Sequence, residues 1–286
     1  MGQAKRPKRN RPNGAGKAVK VLLLGFLVTL VLLLAGPAYV IASGAASLGV
    51  DWTRADRRPA GLAPDAATTP EAVVQVYAAR ALSWRGAFGV HPWFAVKPAG
   101  AGSYTVYEVI GWRLYRGLPV VSVSNRDPDG RWFGSQPAVL AELRGAAAEA
   151  AIPRIAEAAA SYPYPRDYRV WPGPNSNTFA AWVGRAVPEL RLDLPSTALG
   201  KDYLGGSLIA RAPSGTGWQL SLFGVAGILL AVEEGLEVNL LGLTVGVDPL
   251  DLAVKLPGLG RIALRPDAPV IPPPARTADA PADGTG

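Results

Sequence analysis

The distribution of charged residues distinguishes an N-terminal apolar segment from the rest of the chain. Residues 21–43 carry no charge, and no charged side chain follows them until Asp51. At a rise of ~1.5 Å per residue, a helix of this length spans roughly 34 Å, enough for a bilayer core. A cleaved signal peptide is the alternative, because the densest apolar run, at 21–35, is short and small residues follow it. The apolar character continues past that run, which favours an uncleaved transmembrane helix.

The next part of the chain predicts a linker followed by short strands. Residues 51–70 are polar and rich in proline and alanine, as is typical of a linker. β-Branched residues predict a strand at 72–80, with a helix as the alternative. The apolar segments 91–98 and 104–112 flank a glycine-rich turn and predict a hairpin, and a further strand is predicted at 119–124.

Two helices are predicted downstream of these strands. Ser135 is placed to cap the first helix, Pro137 lies near its first turn, and an alanine-rich run continues to about residue 160. The second helix is predicted at 175–187. Its apolar face consists of Phe179, Trp182, Val183 and Val187.

Short apolar runs punctuated by glycine extend from residue 207 to 265 and predict antiparallel strands. Residues 217–232 are apolar enough to suggest a second membrane span, but the segment is short and ends at Glu233 and Glu234, which favours strands. Residues 266–286 are rich in proline, alanine and aspartate and are predicted to be disordered.

The predicted fold class is therefore α+β. A transmembrane helix at 21–43 precedes an antiparallel sheet packed on two or more helices, and a β-rich region completes an extracytoplasmic domain at 71–265.

The net charge of +7 is located in the N-terminal tail. Seven basic residues lie within residues 1–20, and the 22 that remain equal the 22 acidic residues of the chain. A neutral body lacks the electrostatic footprint of a nucleic-acid-binding protein. Basic residues stay on the cytoplasmic side of a membrane helix. We therefore expect a single-pass protein of the bacterial inner membrane, with a cytoplasmic N-terminus and a periplasmic or otherwise extracytoplasmic domain.

The counts of cysteine and histidine exclude several kinds of chemistry. The chain has no cysteine, which excludes disulfides, zinc–thiolate sites and cysteine nucleophiles. It has one histidine, too few for a metal site built on imidazole. The glycine-rich stretch at 14–17 lacks the earlier glycine and the following Ser/Thr of a phosphate-binding loop. We expect neither a metal nor a cofactor.

One cluster of residues is arranged as a nucleophilic site would require. Ser176 lies at a predicted helix start, where the helix dipole favours an oxyanion, and His91 is the only base that titrates near neutral pH. Glu108, on the neighbouring strand, would orient the imidazole, with Tyr107 as the alternative if the strand alternation points the other way. The side chains of Asn175 and Asn177 are candidates to bind a substrate or donate to its oxyanion.

Each of these residues also has a purely structural interpretation. His91 alone fits a hydrogen-bonded histidine at a strand end, and Ser176 alone fits an N-cap. We expect instead that Ser176 points into a cleft while Asn175 or Thr178 caps the helix.

Four stretches, HPWFAVKPAG, YTVYEVIGWR, WPGPNSNTFAAWV and LPSTALGKDYLGG, resemble a family of bacterial membrane-anchored proteins known as domain-of-unknown-function family 3750. This resemblance covers roughly residues 70–265 and implies no activity.

The order of the predicted elements also has a more distant resemblance to the circularly permuted papain-like fold of the NlpC/P60 and lecithin:retinol acyltransferase type. In that group the catalytic helix often begins Asn-Cys-x-x-Phe, which the segment 175–179 matches with Ser176 in place of cysteine. The resemblance implies a catalytic set of Ser176, His91 and Glu108, although serine is a weaker nucleophile than thiolate.

Two function classes follow from the sequence. The first is a serine-dependent amide or ester hydrolase, or an acyltransferase, of the bacterial envelope. The second is a non-catalytic anchored module that binds peptidoglycan, lipid or protein in the same cleft. The two classes differ in whether the His91 imidazole lies within hydrogen-bond reach of the Ser176 hydroxyl.

Overall fold

The computed structural model describes residues 14–46, 48–49 and 51–264. The described part opens with helix α1, Gly14–Ala42. By length and composition this helix could cross a membrane, in agreement with the predicted span. The predicted disordered segment 266–286 and most of the basic tail lie outside the described residues.

A five-stranded antiparallel sheet follows. Its strands are β1 (Val73–Arg80), β2 (Val90–Lys97), β3 (Thr105–Val109), β4 (Val121–Ser124) and β5 (Ala138–Arg144), in the spatial order β4-β3-β2-β1-β5. Short 3-10 helices at Ser83–Ala87 and Gly111–Arg116 interrupt the connections. The predicted strands and the hairpin formed by β2 and β3 are confirmed.

The predicted start of the first long helix is wrong. Ala138–Arg144 forms strand β5, which pairs with β1 and places Ala141 and Leu143 in the core while Glu142 stays partly exposed. This burial has the period of two residues that is characteristic of a strand, and it overrides the helix propensity of Ala, Leu and Glu. Ser135 forms an isolated bridge with Trp132 and caps no helix.

Two helices cover one face of this sheet. Helix α2 is Gly145–Ala160, and helix α3 is Ser176–Ala186. Phe179 of α3 meets Phe94 of β2 edge to face, with ring centroids 6.0 Å apart. The predicted apolar face of α3 is confirmed: Phe179, Val183 and Val187 are fully buried, and Trp182 packs at the margin of the core.

The segment 51–70, predicted as a linker, packs along the opposite face of the same sheet. Ala63 packs against the cluster that contains Trp93. The Asp129 carboxylate accepts hydrogen bonds from the main-chain N–H groups of Leu62, at 2.5 Å, and Ala63, at 3.2 Å. Both faces of the sheet are therefore covered by protein.

A second, seven-stranded sheet forms the C-terminal part of the described chain. Its strands are β6 (Ile209–Arg211), β7 (Gly217–Leu222), β8 (Ala226–Ala231), β9 (Gly235–Leu240), β10 (Leu243–Asp248), β11 (Ala253–Leu256) and β12 (Gly260–Ala263). Each strand pairs antiparallel with the next along the chain, which makes a simple meander. The prediction of strands rather than a membrane span at 217–232 is confirmed.

The second sheet buries its polar face. Alternate residues along its strands point toward the segment that precedes the sheet, and they form hydrogen bonds with Asp193, Lys201 and Asp202. These residues are Gln219, Ser221, Glu237, Asn239, Thr244 and Lys255. The polar face therefore holds this sheet to the rest of the protein, and strand alternation turns its apolar side chains outward.

Charged groups form the centre of this interface. The Glu237 carboxylate lies between two buried ammonium groups, 2.5 Å from Lys201 Nζ and 2.9 Å from Lys255 Nζ. Asp202 also contacts Lys201, and Asp193 contacts Lys255. Burial alone would lower the pKa of Lys201, but Asp202 and Glu237 outweigh it and raise the pKa, so this lysine stays charged.

We predict that Glu237→Gln strongly destabilises the protein, because it leaves two buried ammonium groups without their shared counter-ion. Removing one partner of a buried ion pair costs about 3–5 kcal/mol. The matched control is Glu189→Gln, whose carboxylate is 53% exposed and pairs with Arg154 at the surface. That change should cost less than ~1 kcal/mol. Urea unfolding of the detergent-solubilised full-length chain measures both, and equal losses would contradict the prediction.

Candidate functional site

Asn175 caps the N-terminus of α3. Its side-chain oxygen accepts hydrogen bonds from the N–H groups of Asn177, at 2.9 Å, and Thr178, at 3.2 Å. In return, the Thr178 hydroxyl accepts from the Asn175 N–H at 3.0 Å, which completes a capping box. The prediction that a neighbour caps the helix is confirmed, and Ser176 is the first residue inside the helix.

The amide groups of Asn175 and Asn177 tie the helix start to its surroundings. Asn175 Nδ2 donates to the carbonyl oxygens of Val170 and Leu199, and Asn177 Nδ2 donates to those of Val90 and Leu199, all within 2.9–3.1 Å. Both protons of each amide are therefore used. In this arrangement neither side chain has a free N–H for the predicted oxyanion role.

A glycine is required beside this cap. Gly200 has a φ of +99°, and a Cβ at this position would overlap the Asn175 side-chain amide. The Gly200 carbonyl also accepts a hydrogen bond from the Thr178 hydroxyl at 2.8 Å. The loop at residue 200 thus closes tightly over the helix start.

Two polar groups at this helix start keep unused hydrogen-bonding capacity. The Ser176 main-chain N–H has no acceptor within the described residues. Asn177 Oδ1 is the one buried side-chain polar atom there without a hydrogen bond. A ligand with a donor and an acceptor at its polar end would satisfy both groups.

His91 and Glu108 form a buried pair on the first sheet. His91 Nε2 lies 2.9 Å from Glu108 Oε2, and the two side chains are 7% and 2% exposed. Glu108 pairs in register with Trp93, so it shares a sheet face with His91, whereas Tyr107 pairs with Phe94 and points to the other face. The predicted choice of Glu108 over Tyr107 as the neighbour of His91 agrees with this geometry.

Arg126 and Trp132 complete the surroundings of the pair. The Arg126 guanidinium donates to both carboxylate oxygens of Glu108, at 2.9 and 3.2 Å. The indole of Trp132 stacks on the His91 ring, with centroids 3.6 Å apart and planes at 16°. His91 is thus fixed through Nε2 and through one ring face. His91 Nδ1 has no hydrogen-bond partner within the described residues, and it is not sealed from solvent.

The environment favours a neutral imidazole beside an ionised carboxylate. Burial lowers the pKa of His91, and the nearby Arg126 charge acts in the same direction, which outweighs the opposing effect of Glu108. Burial alone would raise the pKa of Glu108, but the hydrogen bonds from His91 and Arg126, together with the Arg126 charge, hold it below its usual range. A neutral histidine with one free nitrogen is able to accept a proton or a hydrogen bond.

A cavity of about 800 Å³ extends from His91 to the start of α3. Much of its wall is aromatic, with indoles from Trp84, Trp112, Trp132 and Trp171. The polar wall includes His91, Tyr168, Asn175, Ser176 and Asn177. Arg85 is the one charged residue that lines the cavity within the described chain. The volume is in the usual range for a small-molecule site, about 300–1,000 Å³.

His91 and Ser176 share the cavity but form no hydrogen bond with each other within the described residues. His91 projects from the Trp93 face of the sheet, whereas α3 packs on the Phe94 face, so the two side chains approach the cavity around the end of β2. Ser176 lies instead beside Tyr168. Burial raises the pKa of that phenol, while the Ser176 hydroxyl acts in the opposite direction.

Four residues of this site were not predicted from the sequence: Arg85, Arg126, Trp132 and Tyr168. Arg126 and Trp132 belong to the NRDPDGRW stretch, whose Asp-Pro-Asp-Gly pattern indicates a turn but not the contacts of the side chains on either side. Four of the eight tryptophans of the chain line the cavity.

A protein-family model described as "Protein of unknown function (DUF3750)" matches residues 71–203. Over this segment the chain is similar to the DUF3750 family. The predicted resemblance is confirmed over this segment, but the match ends well before the predicted limit at 265 and leaves out the second sheet. No curated protein and no solved structure matches the chain. The more distant resemblance to the permuted papain-like fold therefore stays a prediction.

The single histidine makes its environment directly measurable by NMR. We predict that His91 titrates below 6.5, the ordinary pKa of histidine. The Arg126→Gln change should raise the pKa by removing a repelling charge, and Glu108→Gln should lower it further by removing an attracting one.

The same shift has a consequence for stability. The pKa of His91 is lower in the folded chain than in the unfolded chain. As the pH drops below 6.5, protons therefore bind preferentially to the unfolded chain, and the free energy of unfolding should fall. A titration at or above 6.5, or shifts of the same sign in both variants, would contradict this account.

Proposed function

We propose that the chain is a membrane-anchored protein of the bacterial envelope whose cavity binds an anionic amphiphile. The observation that carries this proposal is the composition of the cavity wall: four indoles beside a polar end, with Arg85 as its one charged side chain in the described chain. Indole faces suit an acyl chain or another apolar body. A wall with a positive charge and no carboxylate favours a ligand whose polar end is negative.

The start of α3 supplies the polar end of this ligand site. The first turn of a helix carries a partial positive charge, and its free N–H groups suit a carboxylate or phosphate oxygen. Asn175 has already satisfied the N–H groups of Asn177 and Thr178, which leaves the Ser176 N–H to bind the ligand. Asn177 Oδ1 would accept a hydrogen bond from a hydroxyl or amide on the same polar end.

The location in the envelope follows from the N-terminal part of the chain. In this proposal residues 1–20 are cytoplasmic, α1 is a single-pass anchor, and the body from residue 51 onward lies outside the cytoplasm. The concentration of seven basic residues before the apolar segment supports that orientation. Peptidoglycan fragments and lipids are both available there.

We predict that the detergent-solubilised full-length chain binds cis-parinaric acid, a fluorescent fatty acid, with saturable fluorescence enhancement. Trp112→Ala should weaken this binding about two- to tenfold, because an aromatic contact contributes ~0.5–1.5 kcal/mol. The matched control is Trp52→Ala, since Trp52 is exposed and does not line the cavity. Non-saturable enhancement, or the same effect of both substitutions, would contradict the ligand proposal.

Serine-dependent hydrolysis or acyl transfer is a second candidate, because Ser176 and His91 line one cavity and His91 Nδ1 is unused. In this reaction Ser176 Oγ attacks an ester or amide carbonyl and His91 Nδ1 accepts its proton. The Ser176 N–H donates to the oxyanion, and His91 returns the proton to the departing alcohol or amine. Water or an acceptor hydroxyl then releases the acyl group. The His91 ring must first move toward Ser176, because the two are not hydrogen-bonded.

If Ser176 is a nucleophile, a fluorophosphonate probe should label the wild-type chain, and Ser176→Ala should abolish the labelling. The same substitution should leave the melting temperature within a few degrees, because Asn175 and Thr178 provide the cap. Glu108→Gln should reduce the labelling rate without abolishing it, since it acts through His91. Absence of wild-type labelling, with intact binding of parinaric acid, would exclude the hydrolase and retain the binding protein.

A further inference from the structure

The second sheet presents an apolar face to its exterior. Because side chains alternate between the two faces of a strand, every second residue points to this exterior face. Six of these residues, one from each strand β7–β12, are 39–65% exposed. They are Leu220, Leu230, Val238, Val245, Val254 and Ile262. By the same alternation, the one charged residue on this face within the described strands is Arg211, on edge strand β6. We call this surface the apolar face.

This polarity is the reverse of that of a sheet in a water-soluble protein. A one-sided antiparallel sheet normally buries its apolar residues and exposes its polar ones. Here the polar side is sealed by the Lys201–Glu237–Lys255 cluster, so the sheet cannot turn over without exposing that cluster. A large contiguous apolar surface marks a site of contact with a membrane or another protein. The apolar face therefore requires an apolar partner.

The connections at the two ends of the meander also differ in polarity. The β7–β8, β9–β10 and β11–β12 connections lie at one end and contain Leu-Phe-Gly, Leu-Leu-Gly and Leu-Pro-Gly, without a charged residue. We call these three connections the apolar end. Phe223 and Leu241, at two of its tips, are 55% and 45% exposed. The opposite end carries Glu233 and Asp251.

Helix α1 contacts this apolar end. Gly36 lies so close to the β11–β12 connection that a Cβ would overlap the Pro257 carbonyl oxygen. Val40 is buried in a small cluster against which Leu259 of the same connection packs. The membrane-type helix and the apolar end thus form one continuous contact.

The position of this contact along α1 determines its depth in a bilayer. Lys20 is the last charged residue before Asp51. Gly36 lies sixteen residues further on, which is about 24 Å along a helix. The hydrocarbon core is about 30 Å thick. With Lys20 at one surface of this core, Gly36 therefore lies inside the core, below its opposite surface. The β11–β12 connection that touches Gly36 is then at the level of the acyl chains.

We propose that the apolar face and the apolar end of the second sheet are bound to the lipid leaflet into which the C-terminal part of α1 extends. The partner is the acyl-chain region of that leaflet. Because the sheet is open and its edge strands have unpaired main-chain groups, it lies at the interface and does not cross the bilayer. This proposal rests on α1 and the second sheet, and it does not depend on the ligand of the cavity.

The absence of cysteine allows a direct test with single nitroxide labels on the full-length chain in liposomes. Leu230→Cys and Val238→Cys report on the apolar face, and Phe223→Cys reports on the apolar end. The matched control is Val123→Cys, which is 58% exposed on the first sheet, and Leu24→Cys in α1 serves as the lipid reference. Every labelled variant must keep the wild-type melting temperature.

We expect the three test labels to collide with oxygen and to lose collisions with a water-soluble nickel chelate, as the label at position 24 does. The label at position 123 should remain accessible to the chelate. Chelate collisions at 230 and 238 equal to those at 123 would overturn the proposal. Loss of collisions with both reagents would also overturn it. In that case, spin–spin broadening relieved by dilution with unlabelled protein would indicate a second copy, and its absence would indicate a different protein contact.

Discussion

Residues 199–202 connect the parts of this protein, and the rest of the described structure depends on the hydrogen bonds they make. The carbonyl oxygen of Leu199 accepts from both Asn175 and Asn177, and that of Gly200 accepts from Thr178. The next two residues, Lys201 and Asp202, are part of the buried ion cluster on the second sheet. Four consecutive residues thus join the start of α3 to the polar face of that sheet. The helix start faces the cavity, so the cavity and the interface between the sheets share one support.

The amphipathic patterns of the sequence predicted the elements of the fold better than their orientations. Alternation identified most strands, and the segment 138–144 was assigned to a helix because its residues have high helix propensity. Alternation also shows that one side of a strand is apolar, but it does not show which side the protein buries. In the second sheet the buried side is polar, because Lys201 and Asp202 lie outside the strands and supply the counter-charges. That information depends on tertiary contacts.

The candidate site was predictable in its residues and only partly in its geometry. The single histidine, the residues 175–178 and the pairing of β2 with β3 led to His91, Ser176 and Glu108, and the structure places all but Glu108 in the wall of one cavity. Glu108 lies behind His91 and contacts its Nε2. The sequence did not predict that the asparagine amides would be used by main-chain carbonyls, since two of the three carbonyls, those of Val90 and Leu199, belong to segments distant in the chain. It also did not predict that His91 and α3 would belong to opposite faces of the sheet.

The anchor, the apolar end and the cavity are neighbours in the structure, and this bears on how a ligand would arrive. Leu241 is at a tip of the apolar end and also lines the cavity, where its carbonyl accepts a hydrogen bond from Trp171. Phe88, another residue of the cavity wall, packs against the cluster that includes Val40 of α1. With the apolar end at the level of the acyl chains, this side of the cavity would face the leaflet and not bulk water. An amphiphile could then enter with its acyl chain still in contact with apolar groups, because the tryptophans continue the apolar surface inward. Its polar end would reach the start of α3 last, where the Ser176 N–H has no acceptor among the described residues.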